Sequence, residues 1–286
     1  MRLSVVVLTY ERPDALALVL RGLARQRVPA DEVVVTDDGS SEATRACVEA
    51  AAAGFPSRLV FVTQPRGGPR MSRARNRGIA VARGDYLVFL DGDQVPSSHF
   101  VADHRAFARP GCFAQGSRAL AGPELTARLL AGGGTAPGPD RDLGPLTPGV
   151  DRRRHLLRVP LLQPLFARRH RSHRGLKSCN FAFWRRDLLA VNGFDEAMTG
   201  WGLEDGELCQ RAYHLGLWRR DLRLGGGVVH LWHGPPSVLA GDNPNWAIYR
   251  ETLASGRVRC ALGLDAHLDE ARPPPADLRA GIAPPG

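Results

Sequence analysis

The chain has 286 residues, 43% hydrophobic and 23% charged, with a net charge of +9. That length suits one large domain or two small ones with a real core, and the composition excludes a disordered or fibrous chain. No apolar run approaches the roughly 18–20 residues of a membrane span. The five cysteines are scattered and form no CxxC pair, which argues against a zinc knuckle or disulfide framework and for reduced thiols in a cytosolic protein.

The opening "MRLSVVVLTYERPD" puts a short apolar stretch directly before "ERPD", so it reads as a first core strand over 3–9 rather than a signal peptide. A helical pattern follows, with Leu16, Leu20 and Leu23 on one face. "EVVVTD" (32–37) is a second strand, with a helix opening at "SSEATRACVEAAA", and "RLVFVT" (58–63) is a third. A basic helical stretch, "RMSRARNRGIAVARG", leads to a fourth strand over 85–90. Strands that are solid rather than alternating, separated by helices, predict a parallel sheet covered on both faces. Ligands of such sheets bind beyond the carboxyl ends of the strands.

Residues 121–149, rich in Gly and Pro, read as a mobile loop. The segment 152–174, "RRRHLLRVPLLQPLFARRHRSHR", carries much of the positive charge. It suits nucleic acid, an anionic membrane surface or a phosphorylated substrate, and equally a solvated arginine-rich loop. Patterning resumes at 176–184, 203–216 and 226–233. The Pro-rich tail from 266 reads as frayed.

Four groups carry candidate chemistry. "TYERP" and "TDDGSS" stand at carboxyl ends of adjacent strands; Asp38 there can serve a base or ribose, or simply a turn and helix cap. The absence of glycine from "TYERPD" disfavours a dinucleotide fold and hydride transfer. Asp91-Gly92-Asp93 ends the fourth strand. Two carboxylates so close suit a hard cation, Mg²⁺ or Mn²⁺, together with substrate phosphate, and Gly92 lets the backbone approach; a surface turn with helix-capping aspartates fits the same residues. In "GWGLEDGELCQRAYHLG", Leu208, Ala212 and Leu215 share a helical face, so Glu204 and Asp205 fall at a helix start that favours ionised carboxylates. One of them can take a proton from a hydroxyl, and Trp201 offers a flat face for a sugar ring; a capping box with a core tryptophan fits the same residues. His230 and His233 in "VVHLWH" can ligate a metal together only if the chain turns between them, and a plain pair of half-buried histidines fits equally.

The order "VVVLTYERP", "VVVTDDGS", "ARNRGIAVARGDYLVFLDGD", "NFAFWRRDLLAVNGFDEAMTGWGLEDGELCQR" and "HLWH" resembles family 2 glycosyltransferases of the GT-A fold. The later segments look like the carboxyl-terminal module of galactosyl- and N-acetylgalactosaminyltransferases. The resemblance covers roughly residues 1–118 and 176–235. It implies an α/β protein with a Rossmann-like, mixed but mostly parallel sheet flanked by helices. It divides the chain into a nucleotide-sugar half (1–118), a variable basic insert (119–175), an acceptor and catalytic half of the same domain (176–265) and a tail (266–286). It implies a nucleotide-sugar donor, usually a UDP-sugar, and inversion at the anomeric carbon. By position, Thr9, Tyr10, Glu11 and Asp38 would line the uridine pocket and Arg70 would face the nucleotide or its phosphates. Asp91, with Gly92, would touch the ribose or metal. Asp93 and His233, with His230, would hold Mn²⁺ or Mg²⁺. Asp205 would be the base, with Glu204 and Trp201 toward a glycan, lipid-linked or small-molecule acceptor. A cytoplasmic enzyme is expected, peripheral to the membrane through 152–174. A nucleotidyltransferase of similar fold would not need "WGLED". A nucleic-acid-binding protein would leave the aspartates unexplained and lacks interleaved aromatic residues in 152–174.

Overall fold

A computed structural model describes residues 1–132, 143–234, 243–270 and 275–281. Its centre is a seven-stranded sheet in the order β10-β6-β9-β4-β1-β2-β3. The first four strands are those expected: β1 (Leu3–Thr9), β2 (Glu32–Asp37), β3 (Arg58–Thr63) and β4 (Tyr86–Asp91), all parallel to one another. β1 and β2 are buried at every residue, which is why they read as solid apolar runs. Their side chains alternate between two cores. Val5 and Val7 pack with Leu16, Leu20 and Leu23 of the helix Pro13–Ala24, whereas Val6 packs with Ile79 of the helix Met71–Val81 on the other face. A Cβ at Gly78 would stand 2.8 Å from Val6 Cγ1, so this glycine lets the second helix lie flat on the sheet.

β9 (Asn180–Trp184) runs antiparallel between β4 and β6 (Cys112–Gln115), and β10 (Trp218–Asp221) closes the edge beside β6. The register sets Asn180 opposite Leu90, so β9 begins where β4 ends. A second sheet, ordered β5-β11-β7-β8, is built from β5 (Gln94–Pro96), β7 (Arg118–Ala121), β8 (Val150–Asp151) and β11 (Val228–His230). No helix among the described residues is long and apolar enough to cross a membrane. All five cysteines are unpaired thiols, four of them buried.

Two expectations need correction. The Gly/Pro-rich stretch 121–149 is not simply a loop: Pro123–Ala131 is a helix with Gly122 as N-cap and a proline in its first turn. Proline there loses no hydrogen bond, so residues that look like breakers mark a helix start. Residues 133–142 of that stretch lie outside the described residues. The tail from 266 does not simply fray. Leu59 of the edge strand β3 donates its N–H to Asp277 Oδ1 at 3.2 Å, and Arg58 Nη2 donates to the Pro275 carbonyl at 2.7 Å. An exposed strand edge has unpaired backbone groups, and the tail satisfies one of them.

Candidate active site

The ends of β1, β2 and β4 meet the start of β9 at one edge of the large sheet. Gly92 N–H donates to the Leu8 carbonyl at 2.6 Å, and a Cβ on Gly92 would stand 3.0 Å from both Leu8 O and Thr9 Oγ1. Glycine is what lets the turn after β4 close against β1. Thr9 is buried, and its hydroxyl has no partner among the described residues. Tyr10 is exposed. Glu11 has a left-handed backbone, φ 49°, and its carboxylate accepts from Ser41. Arg66, which the sequence reading did not single out, bridges Tyr10 Oη at 3.2 Å and Glu11 Oε1 at 2.9 Å.

Asp38 is buried with both oxygens engaged, one by the Gln64 amide and the other by the Arg70 backbone N–H at 2.8 Å. Burial pushes its pKa above the usual carboxylate range, against the pull of those hydrogen bonds. It therefore holds the 64–70 loop in place. The turn is capped by Asp37, which accepts from the Gly39 and Ser40 amides. The Arg70 guanidinium is folded back onto the Pro65 carbonyl of the same loop.

The paired aspartates do not share one partner. Asp91 Oδ1 lies 3.3 Å from Arg75 Nη2, and that buried guanidinium also faces Glu204 Oε1 at 3.7 Å. Burial raises Asp91 to about 6, with Arg75 pulling the other way. Asp93 faces a different set: its Oδ2 lies 3.5 Å from His230 Nε2, 3.6 Å from His233 Nε2 and 3.5 Å from Arg12 Nη1. Burial pushes Asp93 up, but the two histidines and Arg12 outweigh it and hold its pKa below the ordinary value. Each aspartate has its own positive surroundings, which is how two like charges coexist one residue apart.

The histidines converge because β11 ends at His230. Gln94 of β5 is opposite His230, and Leu231 N–H donates to the Asp93 carbonyl at 2.9 Å. The chain then leaves strand geometry, so the alternation that would separate residues three apart no longer applies. Donor atoms of Asp93, His230 and His233 all lie within 4.8 Å of one another. The residues fit a divalent cation on chemical grounds. His233 Nδ1 lies 2.7 Å from the Gly234 carbonyl, which can only accept. In the neutral ring Nε2 then carries a lone pair turned toward a carboxylate oxygen, and an imidazole nitrogen beside a carboxylate is a donor set that a divalent cation accepts.

Glu204 and Asp205 begin the helix Glu204–His214, after Leu203 in the left-handed region at φ 76°. Glu204 is buried and accepts from the Gly202 N–H at 2.8 Å. Asp205 Oδ2 accepts from the Ser178 N–H at 2.8 Å, while its Oδ1 is buried without a partner among the described residues. The helix is pinned from below by the fully buried pair Glu207–Arg211 at 2.7 Å, and Arg211 also donates to the Gly193 carbonyl at 2.8 Å. Trp201 is half exposed on its loop, whose carbonyls accept from Asn243 and Asn245. Arg75 thus links the end of β4 to the helix start at Glu204, beside the Asp93–His230–His233 group. Arg75 was missed because a basic residue in a basic helix gives no sign that it is buried.

Residues 4–135 match the family described as Glycosyl transferase family 2, and residues 166–231 match one described as N-terminal domain of galactosyltransferase. Over 234 residues, 75% of this chain, the sequence is 32% identical to validoxylamine A glucosyltransferase of Streptomyces hygroscopicus subsp. limoneus, of which it spans 48%. The fold is similar to that of Staphylococcus aureus TarS 1–349 in complex with UDP: TM-score 0.57 at 17% identity, covering 94% of this chain and 70% of that one. It is also similar to a mannosyltransferase of Pyrobaculum calidifontis in complex with GDP-Man and Mn²⁺: TM-score 0.50 at 18% identity, covering 88% and 61%. The two matched segments together take in the strand ends and the helix start described above, and residues 4–135 are a Glycosyl transferase family 2 segment.

Proposed function

We propose that the chain transfers a sugar from a nucleotide-sugar donor to an acceptor hydroxyl, with inversion at the anomeric carbon. The observation that carries this reading is Asp205. One of its oxygens is fixed by a backbone amide and the other is buried without a hydrogen-bond partner among the described residues, at the start of a helix. An ionised carboxylate so held can take the proton of an attacking hydroxyl at Oδ1. A single base serves a single displacement, and a single displacement inverts. Trp201 gives the acceptor an apolar face, and Glu204 fixes the loop that presents it through the Gly202 amide. Thr9, Tyr10, Glu11 and the loop ordered by Asp38 bound the nucleotide side, and Arg70 stands where a phosphate would draw its guanidinium away from its own loop.

Asp93, His230 and His233 would hold Mn²⁺ or Mg²⁺, which when bound supplies positive charge for the departing nucleoside diphosphate. The fold does not choose the base of the nucleotide, since neighbours of the same fold were solved with UDP and with GDP-Man. A UDP-sugar is the donor we favour, from the motifs of the first half. The acceptor is a glycan, a lipid-linked sugar or a small molecule, consistent with bacterial glycan or glycoconjugate assembly. The test is a screen of UDP-, GDP- and other nucleotide sugars, with Mn²⁺ present and absent, following release of nucleoside diphosphate. Release of diphosphate from a UDP-sugar with an acceptor supports the reading. Pyrophosphate release from a nucleoside triphosphate and a sugar phosphate would instead mean nucleotidyl transfer.

A further inference from the structure

The insert between β8 and β9 carries a surface that the proposed chemistry does not use. Residues 152–174 contain eight arginines and no aspartate or glutamate. In the middle of this run Pro160–Leu162 and Gln163–Phe166 form two short helical turns. They are anchored from beneath: Val159 N–H donates to the Leu224 carbonyl at 3.0 Å, and the buried Gln163 side chain donates to the same carbonyl at 3.2 Å. Arg158 adds an ion pair to the buried Asp103 at 2.9 Å. The knuckle is therefore held in shape, and its apolar side chains face outward. Leu161 is 91% exposed, Leu165 68%, Leu162 45% and Phe166 44%. Leu161 with Leu165, and Leu162 with Phe166, are four apart and so neighbour one another on the turn surface.

Scattered exposed leucines need no explanation, but four such side chains within six residues on an anchored knuckle form a patch that does. Its flanks decide what it fits. Arg154, Arg168 and Arg169 are exposed and take part in no ion pair among the described residues. Apolar side chains at the tip of a cationic collar match the boundary between acyl chains and anionic headgroups. Nucleic acid would reward the arginines but leave the leucines in water. A symmetric contact with a second copy would bury the leucines but set arginines against arginines.

We propose that the knuckle 160–166 and its arginine collar are an interfacial membrane-docking surface selective for anionic lipid. This goes beyond the proposed transfer reaction and does not depend on it. The knuckle dips its leucines and Phe166 into the interface while the arginines meet the headgroups. The segment continues through 175–178 to the Ser178 amide that holds Asp205, so docking would set the acceptor side of the cleft near the lipid surface.

The test is sedimentation of the full chain with phosphatidylcholine vesicles and with vesicles containing phosphatidylglycerol. Binding is expected to the anionic vesicles and to be at least tenfold weaker to the neutral ones. Leu161→Ser/Leu165→Ser should lose most of it. Arg168→Gln/Arg169→Gln should weaken it by roughly 25-fold, at about fivefold per arginine near a charged surface. Both variants should keep the melting temperature and the turnover with a soluble acceptor. Equal binding to both vesicle types, or none to either, overturns the proposal. So does undiminished binding by the leucine variant, or a dimer in solution that this variant dissolves.

Discussion

Arg75 and Asp91 meet at 3.3 Å, and the same guanidinium faces Glu204 at 3.7 Å. One buried cation thus ties the end of β4 to the start of the helix that carries the proposed base, and its face rests on the Phe194 ring at 5.3 Å. Removing one member of a buried charged set costs more than the set contributes, because the others stay buried and unpaired. Arg75→Met should therefore destabilise the chain by about 3 kcal/mol, the low end of the range for buried pairs because Asp91 is partly exposed. Arg75→Lys keeps the charge but not the fork that reaches both carboxylates, and should cost less. Urea unfolding of the two variants measures the difference. Equal, small losses would mean that Arg75 only fills space.

Glu204 gives a pH signature. Its carboxyl is raised from 4.5 to about 7, first by burial and then by the charge of Asp205, with Arg75 pulling it back. A carboxyl raised in the folded state binds its proton more tightly there than in the unfolded chain. Its contribution to stability is fully present below pH 4.5 and is lost as pH rises through about 7. The wild type should thus lose stability across that window, and Glu204→Gln should flatten the loss. The same variant should raise the acceptor KM more than it lowers kcat, since Glu204 holds the Trp201 loop through Gly202. Melting curves against pH check the first expectation and steady-state kinetics the second.

The parallel core was legible because β1 and β2 are buried on both faces, and such burial leaves unbroken apolar runs. Asp93, Asp205 and the two histidines were legible as residue types. Their pairings were not. Asp91 and Asp93 look in sequence like one cation site, yet Arg75 approaches only the first, from a helix whose path across the sheet no local pattern gives. Asp38 looks free for a ligand until Gln64 and the Arg70 amide occupy both its oxygens. The helix Pro123–Ala131 was hidden by the residues that start it. It matters to the site, because Thr126 Oγ1 accepts from the Trp232 N–H at 2.8 Å and fixes the segment between the two histidines.

The cation cluster predicts a metal requirement that can be read without turnover. Asp93→Asn should abolish Mn²⁺ binding in titration calorimetry while leaving the circular dichroism spectrum unchanged, since Asp93 stands after β4 and its carboxylate meets side chains, not the backbone of a strand. His233→Ala should weaken binding strongly, because its Nε2 is already oriented by the Gly234 carbonyl. In excess EDTA turnover should stop, and added Mn²⁺ should restore it. Full turnover in EDTA, or unchanged Mn²⁺ affinity in both variants, would remove the metal from the proposal.

Asp205 carries the sharpest prediction. Its Oδ2 is engaged by the Ser178 amide and its Oδ1 is buried without a hydrogen-bond partner among the described residues, so the two oxygens have different work. Asparagine is nearly isosteric, and its carbonyl oxygen can keep the Ser178 hydrogen bond. Its amide nitrogen would then occupy the free position, where it cannot accept a proton. Asp205→Asn should therefore fold as the wild type does and bind donor with unchanged affinity. Its kcat should fall by roughly 10²–10⁴-fold, the usual cost of losing a general base. If the carboxylate serves only the helix start, melting temperature and kcat should instead fall together, and Glu204→Gln should behave in the same way. Donor affinity by calorimetry, turnover with saturating acceptor and melting curves on both variants separate the cases. Near-wild-type turnover in Asp205→Asn would sink the assignment and make Glu204, whose carboxyl is raised to about 7, the next candidate for the base.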